Sequence, residues 1–332
     1  MSRFPRFYFL SNDDLLEILG QQKDPTQVQK HIKKCFEGIK SLAMIPLGQM
    51  GNKTVEATGM KSPDGEEVAF NEKVIVDGPV EEWLILVEAM MIQSLSKALG
   101  ASNLAARGSK EKWLKEHSGM LLITTSLISF SSNCSKALKQ IADGTRNAMK
   151  AQRKKQVSNL NKLADIVRMP LDPIVRAKVV ALITIELHSR DIMERMIKAN
   201  CNNVHDFEWL SQLRFYFNKD KGDYGLCEVQ QTNSELAYGY EYQGNNGRLV
   251  VTPLTDRCVL TLTTALHLQR GGSPMGPAGT GKTETVKDLG KNLAKYVVVF
   301  NCSDGLDYKS VGRMFSGLVQ SGGWYVPACA CG

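Results

Sequence analysis

Gly276-Pro277-Ala278-Gly279-Thr280-Gly281-Lys282-Thr283 is the stretch on which the reading of this chain turns. It fits G-x-x-x-x-G-K-[ST] at every position, the pattern of a loop that cradles phosphates. Its glycines let the backbone turn tightly, so that successive N–H groups converge on phosphate oxygens. Lys282 sets an ammonium against the β- and γ-phosphates, and Thr283 offers its hydroxyl to Mg2+. A helix has to follow, because its N-terminal amides and dipole complete the anion site. Val286, Leu289 and Leu293 supply that helix with an apolar stripe, and Val297-Val298-Val299-Phe300 reads as the buried strand after it. Upstream the motif calls for a strand, and Gly271-Gly272-Ser273-Pro274-Met275 is a poor one. These residues predict a site for ATP or ADP with Mg2+.

Working outward, the first two hundred residues read mainly as helices. Ser11-Asn12-Asp13-Asp14 has capping-box spacing, with Leu15, Leu16 and Leu19 behind it as one apolar face. Asp24-Pro25 opens a second helix carrying Val28, Ile32, Phe36 and Ile39. Thr54 to Met60 and Glu66 to Phe70 form a small β-hairpin around the turn Ser62-Pro63-Asp64-Gly65. Gly78-Pro79 starts a third helix, with Val80, Trp83, Leu84, Val87, Met91 and Leu95 at helical spacing and Gly100 after its end. Helical patterns continue around Trp113, from about Ser126 to Lys150 and from about Ile174 to Ile197. From Phe215 to Leu254 the chain turns β-like, with Tyr238, Tyr240 and Tyr242 alternating and Leu249-Val250-Val251 after a glycine turn. The domain boundary is placed there, with helix, loop, helix and strand beyond it, the grammar of an α/β module.

A chain of 332 residues is long enough for two such domains. Its 43% hydrophobic and 23% charged residues fit a globular protein, and no apolar run is read as a membrane span. The start, with two arginines and four aromatics in ten residues, lacks the continuous apolar stretch of a signal peptide. The eight cysteines are scattered, and Cys329-Ala330-Cys331 has the wrong spacing for zinc, so reduced thiols are expected. Basic residues thicken between Lys136 and Arg168, but no aromatic lies between Phe130 and Phe207 to stack a base. The run is read as a solvated helix face, with neither nucleic acid nor membrane as partner. Five dispersed histidines lack ligand spacing and are given no metal role, while Trp83, Trp113 and Trp209 are read as core anchors and Met90-Met91 as packing.

With the loop set beside its flanks, the chain resembles the dynein heavy chain over nearly its whole length. Phe4-Pro5-Arg6-Phe7-Tyr8-Phe9-Leu10-Ser11 looks like the signature segment of that family's linker, the arm preceding the motor ring. Gly78-Pro79-Val80-Glu81-Glu82-Trp83-Leu84, Ser189-Arg190-Asp191 and Leu213-Arg214-Phe215-Tyr216 look like later linker segments. Tyr238 to Tyr242 and Thr252 to Arg257 look like the entry to the first AAA+ module, and Gly276 to Thr285 with Phe300 to Tyr308 like its nucleotide core. Leu10 to Asp14, Lys23 to Thr26 and Cys302 to Tyr308 resemble ciliary more than cytoplasmic transport dyneins.

The resemblance implies a mostly α linker domain with a β-hairpin over 1–215, then an incomplete α/β P-loop NTPase (AAA+) module over 216–324, then a divergent end over 325–332. It implies a nucleotide site formed by Gly276 through Thr283, with Val251, Thr252 and Pro253 approaching the adenine. For the intact family it implies a microtubule motor of cilia and flagella. Its partners are microtubules, intermediate and light chains and other heavy chains, and its place is the cytoplasm, the cytoskeleton and the axoneme. An intact module continues from Trp324 into a strand ending in the Asp-Glu pair of Walker B. Here Tyr325 to Gly332 holds no carboxylate side chain, and Asp304 lies on the wrong strand. Sensor residues, arginine finger and lid are absent too, so the expectation is a truncated product that binds nucleotide without hydrolysis, with no catalytic residue assigned. An interaction or structural fragment in which only the linker folds, and an unrelated P-loop NTPase, are the other readings.

Overall fold

The computed structural model describes residues 2–20, 25–46, 55–245, 247–277, 279–302 and 307–329. In chain order, a 3-10 turn over Pro5–Phe9 is followed by α1 (Asn12–Gly20), α2 (Pro25–Cys35), β1 (Ser41–Pro46), β2 (Val55–Lys61) and β3 (Glu67–Val76). Five helices come next: α3 (Val80–Ala105), α4 (Lys110–Glu116), α5 (Gly119–Ala142), α6 (Ala148–Arg168) and α7 (Pro173–Lys198). After them lie the short α8 (Phe207–Leu210), β4 (Arg214–Asn218), β5 (Leu226–Gln231), β6 (Ser234–Ala237) and α9 (Pro253–His267). The last four elements are α10 (Lys282–Asn292), β7 (Val297–Cys302), α11 (Tyr308–Ser321) and β8 (Trp324–Cys329). The chain is mostly helical, with small antiparallel sheets, and ends in α/β structure.

These elements gather into two compact units that are not contiguous in sequence. One holds residues 1–96, 239–244 and 276–332; the other holds 97–238 and 245–275.

In the first unit, α1 starts as its spacing predicts, Ser11 Oγ accepting the Asp14 N–H at 3.2 Å. Its buried face differs from the expected one: Ile18 is buried, whereas Leu16 and Leu19 are exposed. The helix is rolled so that Asp14 meets Lys34 of α2 at 2.7 Å. Pro25 opens α2 as expected, but the helix stops at Cys35, and Phe36 and Ile39 are buried beyond its end. The hairpin is a three-stranded antiparallel sheet, β1-β2-β3. β1 escapes sequence reading because its short run Ser41–Pro46 lacks alternation, and pairing along β2 makes it a strand. By length and composition α3 is apolar enough to cross a membrane, contrary to the sequence reading. In this unit its stripe Val80, Trp83, Leu84, Val87, Met91 and Leu95 is buried.

At the C-terminal end, β7, α11 and β8 form a β-α-β unit whose strands pair in parallel, Val297 opposite Trp324. Residues 271–275 form no strand: two glycines and a proline leave little to pack on a pleated surface. The strand beside β7 comes instead from the segment after Gly323. α11 lies against the 3-10 turn at Gly317, where an added Cβ would stand 2.6 Å from Tyr8 Cβ and 3.1 Å from the Phe9 ring. Alanine there would regain about 1 kcal/mol of helix propensity, so valine is the sharper probe. Gly317→Val should cost about 2 kcal/mol through overpacking, read as a lower urea midpoint.

In the second unit, Trp113, Leu114, Leu122, Leu163, Ile166, Val179 and Leu182 make one core cluster. Phe130, Cys134, Leu138, Met149, Met193 and Trp209 belong to another. Trp113 Nε1 donates to Ser102 Oγ at 3.0 Å, which satisfies the one polar atom of a buried indole. Gly100 does not end α3, which runs on to Ala105; the missing side chain admits the Tyr224 carbonyl, 3.3 Å from where a Cβ would sit. The helix expected over 126–150 is two helices. α5 closes at Asp143, with Gly144 at φ +105° and the Thr145 N–H bonded back to the Gln140 carbonyl at 2.8 Å. The β4-β5-β6 sheet accounts for the β-like stretch only as far as Ala237. Leu249-Val250-Val251 forms no strand.

Glu186 is buried among α5, α6 and α7 and accepts hydrogen bonds from Ser126 Oγ and Gln156 Nε2. Burial raises its pKa against the lowering effect of those bonds. The folded state therefore holds a proton that the unfolded chain has released, and stability falls as pH rises from the ordinary carboxylate range through the raised value. Glu186→Gln should flatten that slope, seen by comparing urea midpoints of both proteins at pH 5 and pH 8.

Candidate nucleotide site

Two glycines of the predicted loop take left-handed conformations, Gly279 at φ +76° and Gly281 at φ +78°. Side chains other than glycine rarely adopt this backbone, and it turns the chain sharply into α10. α10 begins at Lys282, immediately after Gly281, so the helix required by the motif starts where the pattern places it. Its first N–H groups have no carbonyl within the helix to bond. The Thr285 N–H closes the first turn on the Gly281 carbonyl at 2.9 Å.

Lys282 folds back over the loop. Its Nζ donates to the Gly276 carbonyl and, at 3.1 Å, to the Pro277 carbonyl. Thr280 Oγ1 donates to the same Pro277 carbonyl at 2.9 Å. The ammonium is thus held at the mouth of the loop, where phosphate oxygens would replace or join the carbonyls. Gly276, Pro277, Gly279, Thr280 and Gly281 are exposed, while Lys282 and Thr283 are half-buried. Ala278 and Asp304 lie outside the described residues. Asp307, the last acidic residue of the chain, caps α11: its Oδ1 accepts the Ser310 N–H at 2.9 Å, and the bonds to Ser310 hold its carboxyl below the usual range.

Val251, Thr252 and Pro253 fall in the other compact unit. Thr252 is the N-cap of α9: its Oγ1 accepts the Thr255 N–H at 3.3 Å, Thr255 Oγ1 accepts the Thr252 N–H at 2.8 Å, and Pro253 sits in the first turn.

The C-terminal end of α10 is anchored by residues 239–242, within the stretch expected to be β-like. Tyr240 has φ +53°, and residues 239–242 join no ladder. Instead the Gly239 and Glu241 N–H groups donate to the Leu293 and Ala294 carbonyls at 2.8 and 2.9 Å. Glu241 is buried and takes a two-pronged grip from Arg6, at 2.6 and 2.7 Å. Arg6 also reaches Glu88 Oε1 at 2.7 Å and the Cys35 carbonyl at 3.1 Å. Its guanidinium lies 4.5 Å from the Phe36 ring centroid and 4.3 Å from that of Tyr296. Burial alone would lower the guanidinium pKa; Glu241 and then Glu88 reverse this and hold it above the ordinary value. Nothing in the spacing of Arg6 and Glu241, 235 residues apart, announces the pair.

Two family models match. Residues 238–329 fit "Hydrolytic ATP binding site of dynein motor region", and residues 2–102 fit "Dynein heavy chain, N-terminal region 2". The chain belongs to the dynein heavy chain family. It is of the axonemal type: over 97% of its length it is 56% identical to the dynein-1-beta heavy chain of the flagellar inner arm I1 complex of Chlamydomonas reinhardtii. Over the same share it is 54% identical to human dynein axonemal heavy chain 2 and 53% identical to the mouse protein. It spans 7% of the length of each of these curated relatives. The dynein ATP-binding region thus begins at Tyr238, at the segment gripped by Arg6, and includes the whole phosphate loop.

Proposed function

We propose that this chain binds a nucleoside triphosphate at Gly276 through Thr283, as the nucleotide site of the first AAA+ module of an axonemal dynein heavy chain. The observation that carries this reading is the loop itself, with left-handed Gly279 and Gly281 delivering Lys282 and Thr283 to the head of α10. In this reading Thr283 holds Mg2+, and Val251, Thr252 and Pro253 border the adenine. Residues 1–215 serve as the linker-like part, 216–324 as the module's first portion and 325–332 as a divergent end.

Trp324 to Cys329, the strand after α11, carry no carboxylate side chain that could hold the metal or orient the attacking water. We read the polypeptide as binding nucleotide without turning it over. Within a full-length heavy chain the same residues would serve a microtubule motor in the axoneme of a cilium or flagellum. Their partners there would be microtubules, intermediate and light chains and other heavy chains. Calorimetric titration with MgATP, followed by a phosphate-release assay, tests both statements. One bound equivalent and no release above the buffer rate is expected; no binding removes the site, and steady release removes the second statement alone.

A further inference from the structure

The sequence reading gives the histidines no ligand role, yet α1 and α2 bring His31 beside Asp14 and Glu17. The His31 side chain is only 7% exposed, and neither ring nitrogen has a hydrogen-bond partner. An imidazole carries a donor and an acceptor when neutral, and a buried polar group left unmatched is destabilising. Its nitrogens face two carboxylates instead. Nδ1 stands 3.9 Å from Asp14 Oδ1, and Nε2 stands 3.5 Å from Glu17 Oε2. Asp14 and Glu17 share one face of α1 at i, i+3 spacing. One donor atom from each of the three residues lies within 4.8 Å of the others. Two ligands at 2.0–2.2 Å from one ion are at most about 4.4 Å apart, so small side-chain adjustments bring all three into range.

We propose that Asp14, Glu17 and His31 form a site for a divalent transition-metal ion of the Zn2+ class, clipping α1 to α2. The ring nitrogen selects against Mg2+ and Ca2+, which take all-oxygen ligands. Lys34 Nζ, 2.7 Å from Asp14 Oδ1, is the competing cation; its side chain is half exposed and free to swing into water as the ion enters. The site shares no residue with the phosphate loop and is independent of the nucleotide reading.

Co2+ titrated into the chelator-treated full chain is the direct probe. The expected result is one equivalent with visible d–d bands, no thiolate charge-transfer band, and displacement by Zn2+ at micromolar concentration. Glu17→Gln, at a half-exposed side chain whose loss leaves folding intact, should weaken binding at least tenfold. Lys34→Met should strengthen it, and His31→Gln should abolish it. Absence of the bands, a thiolate band marking capture by cysteine, or unchanged affinity in Glu17→Gln would overturn the assignment.

Discussion

Lys282→Ala should weaken MgATP binding by about two orders of magnitude while leaving the urea midpoint nearly unchanged. The Lys282 ammonium is held at the loop mouth, and its partners are the Gly276 and Pro277 carbonyls, which water can serve equally well once the side chain is gone. Against phosphate the exchange is unequal. A charge-assisted hydrogen bond contributes about 1.5–3 kcal/mol, and losing it from a polyanion site corresponds to roughly 10–150-fold in affinity. Calorimetry on both proteins measures the ratio, and equal affinities would remove the loop from nucleotide binding. Thr283→Ala supplies the internal control: it should lower affinity for MgATP far more than for metal-free ADP, since its hydroxyl acts through the ion.

Arg6→Ala should be the most damaging single change in the first unit, costing about 3–5 kcal/mol, the usual penalty for stranding a buried charge. Glu241 is left with a buried carboxylate and no guanidinium, and the aromatic faces of Phe36 and Tyr296 lose what lies between them. Replacing both partners, as Arg6→Met with Glu241→Leu, should recover much of that loss, because no deeply buried charge is left unpaired and Glu88 is part-exposed. Hydrogen exchange locates the effect. The Gly239 and Glu241 amides, bonded to the end of α10, should lose protection in Arg6→Ala and regain part of it in the double variant. A single variant as stable as the parent protein would show that this pair contributes nothing.

What could be read without coordinates was whatever is written in near neighbours. Ser11 before α1, Pro25 in the first turn of α2, and the eight residues of the loop all act within a few positions, by caps, fixed φ angles and glycine freedom. The tryptophans read as anchors are buried as well, Trp83, Trp113 and Trp209 each sitting on a helix. Errors arose where local preference was overruled. Alternating tyrosines suggested a strand at 238–242, but the segment's amides found carbonyls at the end of α10. A glycine suggested the end of α3, but at Gly100 it makes room for a neighbouring backbone.

By itself, then, the order of residues determined the phosphate loop, the helix and strand behind it, the helical body before it and the dynein resemblance, since each rests on spacing along the chain. Tertiary structure alone decided the grip of Arg6 on Glu241, the meeting of His31 with Asp14 and Glu17, and the strand that lies beside β7. Those pairings join residues far apart in sequence or on separate elements, and burial strips them of water and sets their chemistry only after the chain has closed around them.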